Sequence, residues 1–172
     1  ASKHRQRGQQ ALPFGAKVRI QFLKPELLLP VSHEHYENPL ITRYASREMA
    51  TLFGDQRRFS LWRKLWVMLA EAEREMGLDI RQEQIDELKS HTDDIDFTAA
   101  AAYEKKLRHD VMAHVHAYGD VCPQARAIIH LGATSCYLTD NADLILFREG
   151  LQLLARRLAI VIDQLGHFAA KN

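Results

Sequence analysis

Three short polar clusters hold the residue types that could do chemistry: Arg43-Tyr44-Ala45-Ser46, Arg108-His109-Asp110 and Gly132-Ala133-Thr134-Ser135. The planar fork of Arg43 matches a phosphate, and Tyr44 adds a hydroxyl and a ring face. Read from these residues alone, Arg-Tyr before a helix is usually solvated surface. Arg108, His109 and Asp110 place a cation, a titratable imidazole and a carboxylate in three consecutive positions, which can surround one ligand only at a helix start. There Asp110 would either orient a neighbour or cap the helix that follows. Gly132, Thr134 and Ser135 offer backbone N–H groups, two hydroxyls and close approach for an anion. An ordinary capped turn uses the same residues.

His109 is followed by His114 and His116. Helical metal pairs sit near i, i+4, as in HExxH, and the separations here are five, two and seven positions. His114 and His116 are therefore read as ordinary helix residues, and His109 as a hydrogen-bonding group beside a ligand. Cys122 and Cys136 form neither a disulfide framework nor a CxxC motif, and both are expected to be reduced packing residues.

The elements that must position these clusters read as helices. Ser46 can cap a short helix through Met49 and Leu52 that stops at Gly54. Ser60 then precedes Leu61, Trp62, Leu65, Trp66, Leu69, Ala72 and Met76, a broad apolar stripe ending at Gly77, with both tryptophans as core. Ile85 and Leu88 mark a further helix, residues 97–107 another, and Val111, Met112 and Val115 a third, interrupted by Gly119 and Pro123. No segment alternates as a strand would. Leu144, Phe147, Leu151, Leu154, Leu158, Val161, Leu165 and Phe168 repeat at steps of three and four, a heptad seam. With Thr139 or Asp140 as its cap, this helix would run about 45 to 50 Å to the chain end. Its seam needs other long helices, downstream or in other subunits, because each large apolar side chain forfeits about 1.5 to 3 kcal/mol if left in water.

Composition narrows the function. Of 172 residues, 47% are apolar and 26% charged, with 23 Lys and Arg against 22 Asp and Glu. A formal charge of +1 gives no field to hold nucleic acid or an anionic membrane, so neither is an expected partner. No apolar run reaches the roughly 18 residues needed to span a bilayer, and no secretory pattern opens the chain, so a cytoplasmic location is expected. The first 25 residues form a basic arm, with Lys3, Arg5, Arg7, Lys17, Arg19 and Lys24 and no acid, read as a disordered extension rather than a transit peptide. Pro25, Pro30 and Pro39 make residues 25 to 39 a linker.

Taken in order, Arg43-Tyr44-Ala45-Ser46, WRKLWVMLAEAE from Trp62, LRHDVMAHVHAYG from Leu107 and IIHLGATSCYLTDNADL from Ile128 closely resemble adenylosuccinate lyase, from about Asn38 onward. The resemblance implies membership of the fumarase and aspartase superfamily and an all-α fold. Residues 38–134 would be an N-terminal helical domain, 135–172 the incomplete start of a central helical bundle, and 1–37 an unassigned extension. It implies a homotetramer acting on a small-molecule nucleotide substrate, eliminating fumarate from adenylosuccinate and from the succinylated carboxamide ribotide of purine biosynthesis, with no metal or organic cofactor. By matching motif, Arg43 and Tyr44 would bind the phosphate, Arg108, His109 and Asp110 would contact substrate, and Thr134 and Ser135 would hold the succinyl carboxylate. The family's catalytic His segment and its SSxMPYKxNP loop with the catalytic Ser are not in these residues, so the fragment alone is expected to be inactive. The alternatives are another lyase of the superfamily, such as one acting on argininosuccinate, or a noncatalytic helical interaction fragment.

Overall fold

A computed structural model describes residues 37–172 of the chain. The basic arm, Pro25 and Pro30 lie outside the described residues. All regular structure within them is helical: a π-helical turn at Leu40–Tyr44, then α1 (Arg47–Leu52), α2 (Asp55–Glu75), α3 (Gln82–Ser90), α4 (Phe97–Leu107), α5 (Asp110–Val121), a 3₁₀ turn at Arg126–Ile128 and α6 (Ser135–Lys171). No helix among the described residues is long and apolar enough to cross a membrane.

Local chemistry sets most of these ends. Ser46 Oγ accepts the Met49 N–H at 3.2 Å, capping α1 as its sequence predicts. Gly77 leaves α2 in the left-handed region (φ 95°), with Leu78 N–H on Glu73 C=O and Gly77 N–H on Arg74 C=O, the paired bonds of a Schellman exit. Asp96 caps α4 through Ala99 N–H at 2.9 Å.

Four boundaries and one packing expectation differ from the sequence reading. α2 begins at Asp55 rather than after Ser60: Gly54 is its extended N-cap (φ −75°), Asp55 favours the helix start electrostatically, and Ser60 lies buried inside. Gly54 therefore starts a helix instead of closing one in a left-handed turn. Gly119 does not interrupt α5, because a glycine costs a helix only about 1 kcal/mol. It also lets Arg126 close in, since a Cβ there would lie 2.9 Å from Arg126 Cγ. α6 begins at Ser135 with Thr134 as N-cap, not at Thr139 or Asp140, so its 37 residues span about 55 Å. Thr139 instead lies inside the helix, where its hydroxyl donates to Asp140 Oδ1 at 2.9 Å. Cys122 is buried as expected, but Cys136 is exposed at the start of α6, on the side away from the core.

The core gathers around α2. Leu61, Trp62, Leu65, Trp66 and Ala70 pack with Ile85 and Leu88 of α3, Val111 and Tyr118 of α5, and Leu138, Ala142 and Leu146 of α6. Arg63 is buried in the same helix. Its guanidinium lies 4.3 Å over the Tyr118 ring and donates to the carbonyls of His91 (2.5 Å) and Asp94 (2.9 Å), tying down the loop between α3 and α4. α1 packs on α6, where Gly150 admits Leu52 and Phe53, and ion pairs Arg57–Glu149 (2.8 Å) and Arg157–Glu48 (2.6 Å) flank that contact.

The heptad seam is exposed along its whole length, with side chains 48–67% accessible. α6 thus has two apolar faces: Leu138, Ala142, Leu146 and Leu153 bury within the chain, and the seam does not. Beyond Leu153 every residue of α6 is exposed.

His114 is an ordinary helix residue, as its spacing predicts, but a deeply packed one. It stacks on Phe59 at 3.7 Å and meets the edge of Trp62 at 5.5 Å. Desolvation, helped by the nearby Arg63 charge, lowers its pKa from 6.5 to about 4. Between those values the unfolded chain holds a proton that the folded chain lacks. Stability is therefore full above about pH 6.5 and declines as pH falls toward 4, by up to about 3 kcal/mol from this group. Urea unfolding at pH 7 and pH 5 should show that loss. His114→Phe, which keeps the stack and removes the proton, should flatten it.

Candidate functional site

α4 and α5 are separated by a two-residue break. Arg108 closes α4 in the left-handed region (φ 55°, ψ 36°), and His109, extended, is the N-cap of α5. A non-glycine residue in that region carries strain of about 1 kcal/mol or more. The break ends one helix and starts the next at once, leaving Arg108, His109 and Asp110 exposed at the amino end of α5.

The capping role falls to His109 rather than Asp110. His109 Nδ1 accepts the Met112 N–H at 3.3 Å, while Asp110 is the first helical residue and its Oδ1 accepts Val111 N–H at 2.7 Å. Asp110 Oδ1 is also 3.6 Å from His109 Nδ1, but pairing there would need a proton on the nitrogen already engaged with Met112. The backbone contact is the shorter, so neutral His109 carries its proton on Nε2. That nitrogen lies 3.5 Å from Ser135 Oγ, across 26 positions of sequence. Two of the three clusters therefore meet, each at the start of a helix, where unpaired N–H groups and the helix dipoles favour an anion.

The segment leading into Ser135 is pinned from below. Ile128 and Ile129 are buried, Gln84 donates to Gln124 C=O at 2.8 Å, and Glu87 accepts Ala125 N–H at 2.8 Å. His130 (φ 65°) and Gly132 (φ 64°) are both left-handed, and His130 C=O accepts the Ala133 N–H at 3.4 Å to close the turn. Thr134 makes no capping hydrogen bond with its side chain, so its hydroxyl is not spent on the helix.

Two residues that the motifs did not single out border this turn. Trp66, from α2, donates its indole N–H to His130 Nδ1 at 3.1 Å. Glu73, two turns further along α2, has one carboxylate oxygen buried without a hydrogen-bond partner, and burial pushes its pKa up. Its other oxygen is 3.4 Å from where a Gly132 Cβ would stand. His130 was visible beside Gly132 in the IIHLGATSC string, but nothing local distinguished it from a core histidine. Burial lowers its pKa.

Arg43 and Tyr44 are not brought to this place. Both are exposed, in the π-helical turn before α1. α1 lies antiparallel to α6, with Phe53 against Phe147 and Gly150 and with Glu48 on Arg157. Arg157, which holds Glu48, is 22 positions beyond Ser135, about 33 Å along the helix, and Arg43 and Tyr44 lie five and four positions before Glu48.

No protein-family model matches the chain. Over 132 residues it is 56% identical to an adenylosuccinate lyase of Schistosoma mansoni, a match covering 77% of the chain and 28% of that protein. It is 47% identical over 143 residues to the adenylosuccinate lyase of Caenorhabditis briggsae (82% and 30%) and 49% identical over 140 residues to that of Saccharomyces cerevisiae (80% and 29%). The chain thus spans less than a third of the length of these curated relatives.

Gly132 is the hinge of the turn, and its left-handed backbone rather than crowding sets the cost of a side chain there. Gly132→Ala should lower the unfolding free energy by about 1 to 2 kcal/mol in urea titration, and Gly132→Asn by less, since Asn tolerates that region.

Proposed function

We propose, from the premise that this chain belongs to the adenylosuccinate lyase family and corresponds to its N-terminal portion, that it supplies the substrate-holding part of an enzyme that eliminates fumarate from adenylosuccinate. The same site would act on the succinylated carboxamide ribotide of purine biosynthesis. The observation that carries the reading is the meeting of His109 and Ser135 at the starts of two helices, each within a string that resembles the family.

In this reading Thr134, Ser135 and the free N–H groups of the α6 start hold a succinyl carboxylate. The demand at that point is chemical. A base removes the proton beside a carboxylate, and the resulting carbanion, stabilised as an aci-carboxylate, concentrates negative charge where fixed donors and a helix dipole are worth most. An acid then protonates the departing nitrogen. Arg108, His109 and Asp110 contact the substrate, and His109 offers Nε2–H. The groups that move protons come from segments beyond these 172 residues, and the reading requires no metal or organic cofactor.

Arg43 and Tyr44 take the nucleotide phosphate, but from another copy. Their place toward the far end of α6 favours a site assembled between chains, and the exposed seam of α6 is the surface on which such chains would pair. We infer a cytoplasmic homotetramer in which α6 opens a central helical bundle and residues 38–134 form the N-terminal helical domain, packed on the first turns of α6.

Fumarate release measured by absorbance tests the reading. The 172-residue chain alone should be inactive, and a protein supplying the downstream segments should restore the reaction. In such an active protein Arg43→Ala should lower kcat/KM by roughly 10- to 100-fold, about 1.5 to 3 kcal/mol for a charged hydrogen bond. Unchanged kinetics would remove Arg43 from the site.

A further inference from the structure

The Trp66–His130 contact carries a side chain of the buried core to the turn of the candidate site. We propose that Trp66 is a positioning residue: its indole N–H, donated to His130 Nδ1, locks the His130 ring as the tautomer with its proton on Nε2 and so presents a hydrogen-bond donor at the turn before α6.

The chemistry of the pair leaves one assignment. The indole nitrogen is a donor only, so the atom it meets at 3.1 Å must be an unprotonated acceptor. A neutral imidazole with Nδ1 unprotonated carries its proton on Nε2. A doubly protonated ring would set two N–H groups against each other, so the contact also opposes charging of His130. The surroundings act in the same direction. From α2, Trp66 withholds water. Burial itself lowers the His130 pKa, and His109 is the titratable neighbour from the α4–α5 break. Glu73, also from α2, stands on the Gly132 side of the turn.

The donor is rigid. Trp66 is 1% exposed and is held by Trp62 at 6.5 Å and Tyr118 at 5.9 Å between ring centroids, and its ring meets the His130 ring nearly edge-on at 77°. The acceptor is strained. His130 occupies the left-handed region, and a non-glycine residue keeps that backbone only where other contacts enforce it. A ring needed only to satisfy the indole would not require it. With Trp66 as anchor, the strain, the turn closed through His130 C=O and the adjoining Gly132 form one unit that aims the ring and shapes the path into Thr134 and Ser135.

This inference rests on the proposed function only for its kinetic consequence, and the experiment separates the two. Imidazole ¹⁵N NMR of the full chain, with the His130 signals assigned by their loss in His130→Asn, should show Nδ1 unprotonated and Nε2 protonated at pH 7, and protonation only below the pH at which free histidine titrates. Trp66→Phe keeps the ring and removes the donor. It should bring both tautomers into exchange and move the His130 titration upward. In a protein active in fumarate release, Trp66→Phe should also lower kcat about tenfold with KM changed less than about twofold, and shift the acid limb of the pH profile upward. A purely structural role would lower the melting temperature and leave the tautomer and the acid limb unmoved. A native His130 protonated on Nδ1 overturns the proposal whether or not Trp66→Phe folds. So does a folded Trp66→Phe with native-like spectra and kinetics. Absence of fumarate release from the native protein, with the expected spectra, would instead sink the functional reading and leave the tautomer lock standing.

Discussion

Everything in the described structure depends on one helix being enclosed. α2 presents Leu61, Trp62, Leu65, Trp66 and Ala70 to α3, α5 and α6, and it places Arg63 in the same interior. Burying a guanidinium is unfavourable unless its donors are met. Here two carbonyls and the face of Tyr118 meet them, so one buried charge fixes the loop between α3 and α4, the ring of α5 and the orientation of α2 together. The remaining hydroxyl in this group, that of Tyr118, donates to Leu88 C=O at 2.5 Å, closing the connection back to α3.

That enclosure carries through to the site. Because Trp66 is rigid in the core, its N–H is a fixed point at the surface of the core, and the turn containing His130 and Gly132 is built upon it. On the other side, α4 and α5 pack closely with only Arg108 and His109 between them, so the capping His109 is held against the start of α6. The anion-favouring geometry is thus a by-product of helix ends, and its precision comes from aromatic packing several residues beneath it.

The long helix works in the opposite sense. One of its faces completes the core, while the seam from Leu144 to Phe168 is left to water and α1, with Arg43 and Tyr44 ahead of it, is fastened toward its far end. Eight large apolar side chains on one exposed stripe are a strong thermodynamic drive to associate. The same α1–α6 contact keeps Arg43 away from His109 and Ser135 of its own chain.

Helix number, the apolar stripes of α2 and α6, the Ser46 cap and the three polar clusters could be read from residue type and spacing, because periodicity and capping act over three or four residues. Helix starts were harder to read: Ser60 and Thr139 resemble caps, yet Gly54 and Thr134 do the work, since a polar residue is tolerated in a first turn as readily as before one. The second apolar face of α6 and the exposure of Cys136 were likewise hidden until packing decided which side turned inward. Only the tertiary structure could set Trp66 against His130, 64 positions apart, or His109 against Ser135. Such contacts depend on how whole helices are oriented by a shared core, and no local pattern of residues encodes that orientation.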